Sequence, residues 1–422
     1  MKIILCCFAS SRYWTNRAEL KNAVECIKND IKTLCDTVIL IDEQFNFNYL
    51  KEYNDSLMVA LPMSGGVQPD IIRATEYFEK VLIYAGYVKG NFDDEITKKM
   101  VIGNAAPAVM DVYAVLKRKG NIHLCSNREE LKKRINVYQA CEKIRGSKLL
   151  AIGNTEPWVI SAVRDWKVVK DRFGIEIINV TQEELIEIYE NTNSDYAEGF
   201  YKQWREKSKD VIEPTESDLL NASKFQTALI NLIEKYGASG AAVACFNMLK
   251  TGTTSCLGVS YINTYTDYVV SCEGDMDSAI TMLIMKALAK DSPWMANPNI
   301  QPDNTVNFVH CTAPTCINGK ECDYILRNHH ESGIGVSTQV QLPLNVNMTA
   351  CRISDNLSKM MVQKCTGTSG EYEPSCRTQL KVKLEDYHKY IYDSLGCHLI
   401  FVFEDIKQEL IYLAEEFDIE VL

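Results

Sequence analysis

The sequence has no long apolar run, no basic segment and no glycine-rich nucleotide motif. No stretch approaches the ~20 apolar residues that a membrane-spanning helix needs, and the short run MKIILCCF predicts a first β-strand rather than a signal peptide. Lys and Arg are scattered, and a net charge of −11 disfavours binding to phosphate backbones. Neither GxGxxG nor a Walker sequence occurs. We therefore expect a cytoplasmic protein with no membrane and no nucleic-acid partner.

The 16 cysteines could suggest a disulfide framework, but their positions argue against one. Many lie in apolar, strand-like runs, where a free thiol behaves as a small buried hydrophobe. A chain of 422 residues with 46% hydrophobic residues has its own core and needs no disulfides to hold it. A zinc site on Cys311, Cys316, Cys322 and His310 is an alternative, although C-x4-C-x5-C is not a standard zinc spacing.

The first part of the chain, residues 1–145, alternates short apolar runs with helical patterns. The apolar runs include KIILCCF and KMVIGN, and one helical pattern extends from Arg17 to Cys35. Such alternation is typical of a parallel sheet covered by helices. We expect one α/β domain here.

The rest of the chain divides into a second α/β region, residues 146–291, and a β-rich region, residues 292–422. In the former, Glu156-Pro157-Trp158 is predicted to open a helix that reaches about Val169, because proline is favoured in the first turn. The latter has strand-like runs separated by turns and little helix, which predicts a compact barrel.

The segment SCEGD is the strongest candidate for chemistry. An apolar strand ends in Glu273 and Asp275, and a helix follows directly. Residues i and i+2 of an extended chain point the same way, so both carboxylates are expected to face one site. Neighbouring carboxylates repel each other, which raises one pKa or recruits a cation. The alternative for Asp275 is a helix N-cap.

Histidines supply the other candidate ligands. His310 ends the apolar strand VNFVH, and His398 opens the strand HLIFVF. A polar cluster, RNHHESG, between two strands adds Arg327, His329 and Glu331. Carboxylate and imidazole ligands together suit Mn²⁺, Mg²⁺, Fe²⁺ or Co²⁺.

Three segments in this order resemble the L-fucose/L-arabinose isomerase family, and most closely its shorter fucose isomerase-like members. They are ACFNMLKTGTTSCLGVSYIN with SCEGDMDSAITMLIMKAL, then PWMANPNIQPDNTVNFVHCTAPT, then RNHHESGIGVSTQV. The resemblance covers about Ala241 to Ile406. It implies two Rossmann-like, doubly wound parallel-sheet domains (1–145 and 146–291), followed by a β-rich, barrel-like C-terminal domain (292–422).

The resemblance also implies a function, which is aldose–ketose isomerisation by metal-assisted proton transfer through an ene-diol. The divalent metal, which is usually Mn²⁺ in this family, would be held by Glu273, His310 and His398. Glu273 and Asp275 would be the catalytic carboxylates. Asn297 stands where the family has a second acid; an asparagine can bind a hard cation through its carbonyl oxygen but cannot act as a base.

The resemblance further implies that the substrate is a small sugar of the fucose or arabinose type, or a modified, for example sulfonated, sugar. Four residues are expected to contact it, namely Asn297, Arg327, His329 and Glu331. A homotrimer or homohexamer is implied as well. The alternative is a sugar-binding protein of the same fold that catalyses no reaction or a different one.

Overall fold

A computed structural model describes residues 1–31, 35–88 and 95–422 of the chain. These residues form two compact units, 1–139 and 140–422. The predicted domains 146–291 and 292–422 therefore lie together in the second unit.

The first unit is built around a parallel sheet of five strands in the order β2-β1-β3-β4-β5. Its strands are β1 Ile3–Phe8, β2 Thr37–Ile41, β3 Leu57–Pro62, β4 Lys80–Tyr84 and β5 Ile122–Cys125. The helices are α1 Arg17–Asp30, α2 Gln68–Thr75, α3 Glu95–Ile102, α4 Ala105–Leu116 and α5 Arg128–Ile144, with 3₁₀ turns at Phe47–Tyr53 and Lys117–Lys119. Apolar side chains from both faces of the sheet are buried against helices in two separate clusters.

Two predicted elements of this unit differ from the structure. The run KMVIGN is not a strand but part of α3, where Ile96 and Met100 are buried at helical spacing. A short apolar run cannot by itself distinguish a strand from a buried helix. The helix predicted from Arg17 to Cys35 ends at Asp30, and its residues 32–34 lie outside the described residues.

Within the described ranges, no single helix has both the length and the apolar composition that a membrane span requires. Glu95–Ile102 and Ala105–Lys119 pass that test together, and they are bent by 85° with respect to each other.

The second unit begins with a parallel sheet of four strands in the order β7-β6-β8-β9. Its strands are β6 Lys148–Ile152, β7 Glu176–Val180, β8 Gly240–Val243 and β9 Val269–Ser271. The helices are α6 Trp166–Phe173, α7 Gln182–Asn191, α8 Ser194–Lys207, α9 Glu216–Tyr236, α10 Cys256–Tyr265 and α11 Met276–Leu288, with a 3₁₀ helix at Cys245–Thr251.

The helix predicted from Glu156 to about Val169 is wrong. Residues 153–165 form a loop, and α6 begins only after Asp165, whose side chain caps it. The backbone of this loop bonds to other groups, because Glu156 N donates to the carbonyl of Glu273 at 2.9 Å. Arg164 bridges the carbonyls of residues 159, 160 and 162 from within the loop.

The β-rich region forms a closed antiparallel barrel of six strands, which confirms the predicted barrel. Its order is β16-β19-β10-β11-β18-β17, closed by pairing of β17 with β16, and a short β20 runs parallel to β17. The barrel strands are β10 Trp294–Ile300, β11 Val306–His310, β16 Asn347–Ser354, β17 Lys359–Thr368, β18 Thr378–Leu384 and β19 Leu399–Val402, and β20 is Glu420–Val421. Two separate antiparallel pairs lie between β11 and β16 in the chain, namely β12 Cys316–Ile317 with β13 Lys320–Glu321 and β14 Tyr324–Arg327 with β15 Ser337–Val340. The helices are α12 Tyr387–Tyr392 and α13 Lys407–Glu416.

The barrel core explains which strand faces point inward. Phe308 of β11 and Phe401 of β19 pack with ring centroids 4.7 Å apart in one buried apolar cluster. Because side chains alternate along a strand, His310 lies on the face of Phe308, at the end of β11. The helix α11 packs against β16 and β19 outside the barrel and joins it to the parallel sheet.

All 16 cysteines are free thiols. The alternative zinc site on Cys311, Cys316, Cys322 and His310 is not formed, since across residues 95–422 the structure brings together one possible metal-ligand group, and that group contains none of these thiols.

Candidate metal centre

Glu273, His310 and His398 meet at one point of the second unit. One ligand atom from each residue lies within 4.8 Å of the others, so the group can hold a metal ion. Both histidines are buried, with 5% and 0% of their surfaces exposed, and Glu273 is partly buried. The three residues that the sequence singled out as metal ligands are thus brought together. We call this group the triad.

The backbone fixes Glu273 in a rare conformation. Glu273 follows β9 by two residues, and both it and Gly274 have left-handed φ angles, of 59° and 61°. A Cβ at position 274 would lie 2.7 Å from Cα of Thr155, so only glycine fits there. The amide of Gly274 donates to the carbonyl of Val243 on β8 at 2.8 Å. This turn directs the Glu273 side chain away from the sheet and toward the histidines.

The carboxylate of Glu273 accepts a hydrogen bond at one oxygen and has a charged neighbour, without a hydrogen bond, at the other. Trp158 Nε1 donates to Oε2 at 2.6 Å, and His398 Nε2 lies 3.4 Å from Oε1. Burial alone would raise the pKa of Glu273, but His398 and the indole of Trp158 stabilise the carboxylate, so the pKa is lowered. Glu273 is therefore an anion at neutral pH.

The two histidines are held by their Nδ1 atoms. His310 Nδ1 shares a hydrogen bond of 2.6 Å with the hydroxyl of Thr312, and His398 Nδ1 donates to Asp275 Oδ2 at 2.7 Å. The pKa of His310 is lowered to about 3 by burial and by repulsion from His398, so it is neutral. His398 Nε2 is buried without a hydrogen-bond partner.

Asp275 is the centre of a buried hydrogen-bond network behind the triad. It caps α11 by accepting from the amide and hydroxyl of Ser278 at 3.0 and 2.8 Å, and Arg352 Nη1 donates to its Oδ2 at 2.6 Å. Burial opposes the charge, but Arg352 and His398 lower its pKa below the ordinary range. Both oxygens of Asp275 are occupied by Ser278, Arg352 and His398, so this predicted catalytic residue holds His398 in place and has no oxygen left for a ligand.

Burial disfavours protonation of His398, yet the hydrogen bond to Asp275 and the nearby Glu273 raise its pKa well above the ordinary value. The Asp–His pair resembles the arrangement in which a carboxylate orients a metal-binding imidazole through its second nitrogen.

Arg352 of β16 is shared by two aspartates. Its guanidinium lies 2.6 Å from Asp275 and 3.8 Å from Asp277, with 1% of its side chain exposed. Asp277 also accepts from the amide of Val163 at 2.9 Å and from the hydroxyl of Ser354 at 2.7 Å. Burial raises the pKa of Asp277 to about 6 in spite of Arg352.

The lowered pKa of Asp275 makes a prediction about acid stability. Asp275 is ionised in the folded state at pH values where the unfolded chain, with a pKa of about 3.9, is already protonated. Its contribution is therefore complete above the unfolded pKa and is lost as the pH falls below it. We expect urea unfolding to show that Asp275→Asn destabilises the protein more at pH 6 than at pH 3. An equal effect at both pH values would contradict this.

Of the four predicted substrate-binding residues, His329 is the one that lies beside the triad. His329 is half-buried beside the triad, since it interacts electrostatically with Glu273 and His310, and its ring lies 5.9 Å from that of Phe246. The Nδ1 atom of His329 is 2.9 Å from the hydroxyl of Ser332.

Arg327 is already paired. Its Nε donates to both carboxylate oxygens of Glu213 at 2.9 and 2.8 Å, and its Nη1 donates to Gln339 at 2.8 Å. A guanidinium so occupied has little capacity for an anionic ligand. Glu331 is exposed. Asn297 pairs with Val309 across β10 and β11, and alternation places its side chain on the strand face opposite to that of His310.

Sequence reasoning did not identify three residues at the site, namely Glu156, Trp158 and Arg352. Glu156 is 8% exposed, and burial together with repulsion from Glu273 raises its pKa. Trp158 lies on the same loop and is 53% exposed. Pro157, between Glu156 and Trp158, is typical of a helix start, so the sequence predicted a helix where the structure has a loop that contacts the triad. Arg352 in the strand run MTACRIS was the available signal of a buried ion pair.

A cavity of about 730 Å³ lies beside the triad. Its lining includes Trp158, which bonds to Glu273, and Cys397, which precedes His398, but none of the three triad residues. The indole of Trp158 thus both lines this cavity and bonds to the carboxylate of Glu273.

One carboxylate and two imidazole Nε2 atoms, on rings held by hydrogen bonds at Nδ1, offer a donor set for a divalent first-row metal, which would take the place of the Nε2 proton of His398. Comparisons of the chain with models of known protein families and with curated proteins gave no match.

Proposed function

We propose that the protein is a metal-dependent aldose–ketose isomerase of the L-fucose/L-arabinose type. The triad of Glu273, His310 and His398 carries the proposal, because these residues match the family's ligand positions by sequence and meet within 4.8 Å. Mn²⁺ is the proposed metal, with Mg²⁺, Fe²⁺ and Co²⁺ as the other ions that this donor set admits.

The residues present fit such an ion. His398 Nε2 is an orphaned buried nitrogen beside a carboxylate, which is costly to leave without a partner. When bound, a divalent cation would polarise the sugar carbonyl and so acidify the neighbouring C–H group.

Hydrogen bonds from neighbouring residues orient the three side chains that would bind the metal. Asp275 holds the proton on Nδ1 of His398, and Thr312 bonds to Nδ1 of His310, so each Nε2 is left for the ligand site. Trp158 holds one oxygen of Glu273. His329, half-buried beside these groups, is the best placed of the predicted residues to contact a sugar hydroxyl.

Finer family properties belong to the same proposal. The parallel order β2-β1-β3-β4-β5 agrees with a doubly wound, Rossmann-like sheet, as does β7-β6-β8-β9. A homotrimer or homohexamer is proposed from the resemblance. A sulfonated substrate is less favoured, because Arg327, which could have bound its sulfonate group, has its guanidinium paired with Glu213.

The function is tested with purified protein loaded with Mn²⁺ and incubated with a panel of aldoses that includes L-fucose, L-arabinose and a sulfonated hexose. We expect ketose to form from at least one sugar, and to stop after chelation with EDTA. Saturable sugar binding without metal and without product would instead favour the sugar-binding alternative. That alternative has one observation in its favour, since Asn297 supplies no second acid at the triad.

A further inference from the structure

Glu156 is a buried carboxyl with one unused oxygen. The residue is 8% exposed, and its Oε1 has no hydrogen-bond partner. The side chain does accept a hydrogen bond from the amide of Phe246. A carboxyl that served only to hold this amide would gain nothing from burying its other oxygen, because a buried polar atom without a partner is destabilising.

Four contacts join Glu156 and the residues around it to the metal centre. Glu156 N donates to the carbonyl of Glu273 at 2.9 Å, which joins the two residues through their backbones. The ring of Phe246, whose amide holds the Glu156 side chain, packs edge-on against Trp158 at 5.1 Å and against His329 at 5.9 Å. Trp158 in turn bonds to the carboxylate of Glu273.

The carboxyl is near the triad without belonging to it. Glu156 interacts electrostatically with Glu273, yet it is absent from the group whose ligand atoms lie within 4.8 Å of each other. At least one distance from its carboxyl to the three ligand atoms is therefore longer than 4.8 Å.

The other acidic groups are committed elsewhere. Trp158 donates to one oxygen of Glu273, His398 Nε2 lies 3.4 Å from the other, and Asp275 is fully buried behind His398. Asn297 offers no carboxylate. An isomerase built on this site therefore needs a separate group for the proton.

We propose that Glu156 is the residue that moves the proton between the two carbons of the bound sugar. This inference rests on the proposed function and assigns a catalytic residue to it. The carboxylate takes the proton from C2, the C–H electron pair forms the C1=C2 double bond, and the C1 oxygen takes the negative charge. The O2 proton then passes to O1, and Glu156 returns its proton to C1. The products are the ketose and the free carboxylate.

The test compares Glu156→Gln with the wild-type protein, each loaded with Mn²⁺, in D₂O. NMR follows deuterium entering the sugar at C2 and C1. We expect the exchange rate to fall by roughly 10²–10⁴-fold, the usual contribution of a general base. The affinity for Mn²⁺ and for the matching unreactive alditol, both measured by calorimetry, should not change.

Two further variants complete the design. Glu190→Gln, at an exposed position of α7, makes the same chemical change away from the site and should exchange like wild type. Glu156→Asp keeps a carboxylate and should recover part of the rate. If it is folded and as silent as Glu156→Gln, the carboxylate is not what the reaction needs, and the proposal falls.

The remaining outcomes separate this inference from the function on which it rests. Wild-type exchange with equal exchange in Glu156→Gln overturns the role of Glu156 alone. A large loss of Mn²⁺ affinity in that variant would make Glu156 a metal ligand and would also overturn it. A metal-loaded wild type that exchanges no sugar overturns the isomerase proposal, and the proton-transfer role with it.

Discussion

Glu273→Gln is expected to lower the affinity for Mn²⁺ by roughly 100-fold or more, because even residues that only support metal ligands are typically worth 10–100-fold. Glu273 is the one anion of the triad, and glutamine has its shape without its charge. The amide oxygen can still accept the hydrogen bond from Trp158, so the loop should remain folded. Titration calorimetry on protein first stripped of metal measures the effect.

The comparison variant is Glu156→Gln, which lies on the same wall of the site and should bind Mn²⁺ like wild type. Isomerisation should be lost in both variants, but for different reasons. Wild-type affinity in Glu273→Gln would show that the metal is held elsewhere, and the triad would no longer support the proposed function.

Arg352→Met is expected to destabilise the second unit by about 3–5 kcal/mol, the usual cost of removing one partner of a buried ion pair. The guanidinium is 1% exposed and lies 2.6 Å from Asp275 and 3.8 Å from Asp277, so its loss leaves Asp275 with His398 as its remaining cation and Asp277 with none. Methionine fills much of the same volume and remains apolar, which isolates the electrostatic loss.

Urea unfolding followed by tryptophan fluorescence suits this measurement. Trp158, Trp166, Trp204 and Trp294 all belong to the second unit, whereas Trp14 belongs to the first. Lys202→Met is the control, because it breaks an exposed pair with Glu198 on α8 and should cost at most ~0.5 kcal/mol. If Arg352→Met costs no more than this control, the network contributes nothing to stability.

The sequence placed the triad residues among its candidates because each stands at a recognisable place, and the family resemblance then selected these three as the metal ligands. Glu273 follows an apolar strand, His310 ends one and His398 precedes one, and strand ends are where side chains converge on a site. The change from alternating strands and helices to strands and turns was enough to predict the parallel sheets and the barrel. These signals are local, and they persist in the fold because the hydrophobic periodicity that produces them also builds the core.

The predictions that the structure corrected concern features that depend on contacts between residues far apart in the chain. The segment around Glu156 has the proline of a helix start, but its amide bonds to Glu273, which is far away along the chain. The role of Asp275 was ambiguous for the same reason, since Arg352 lies 77 residues away and decides that the carboxylate is buried. No local pattern indicated that the guanidinium of Arg327 is paired with Glu213.

The origin of the triad has a consequence for how the chain folds. Glu273 lies in the turn after β9 of the parallel sheet, whereas His310 ends β11 and His398 directly precedes β19 of the barrel. Bringing them together requires the closure of long loops, whose entropic cost precedes any contact that rewards it, and such non-local pairing makes folding slow. A partly folded chain therefore lacks the site. Metal capture would follow the assembly of the second unit and would mark its completion rather than guide it.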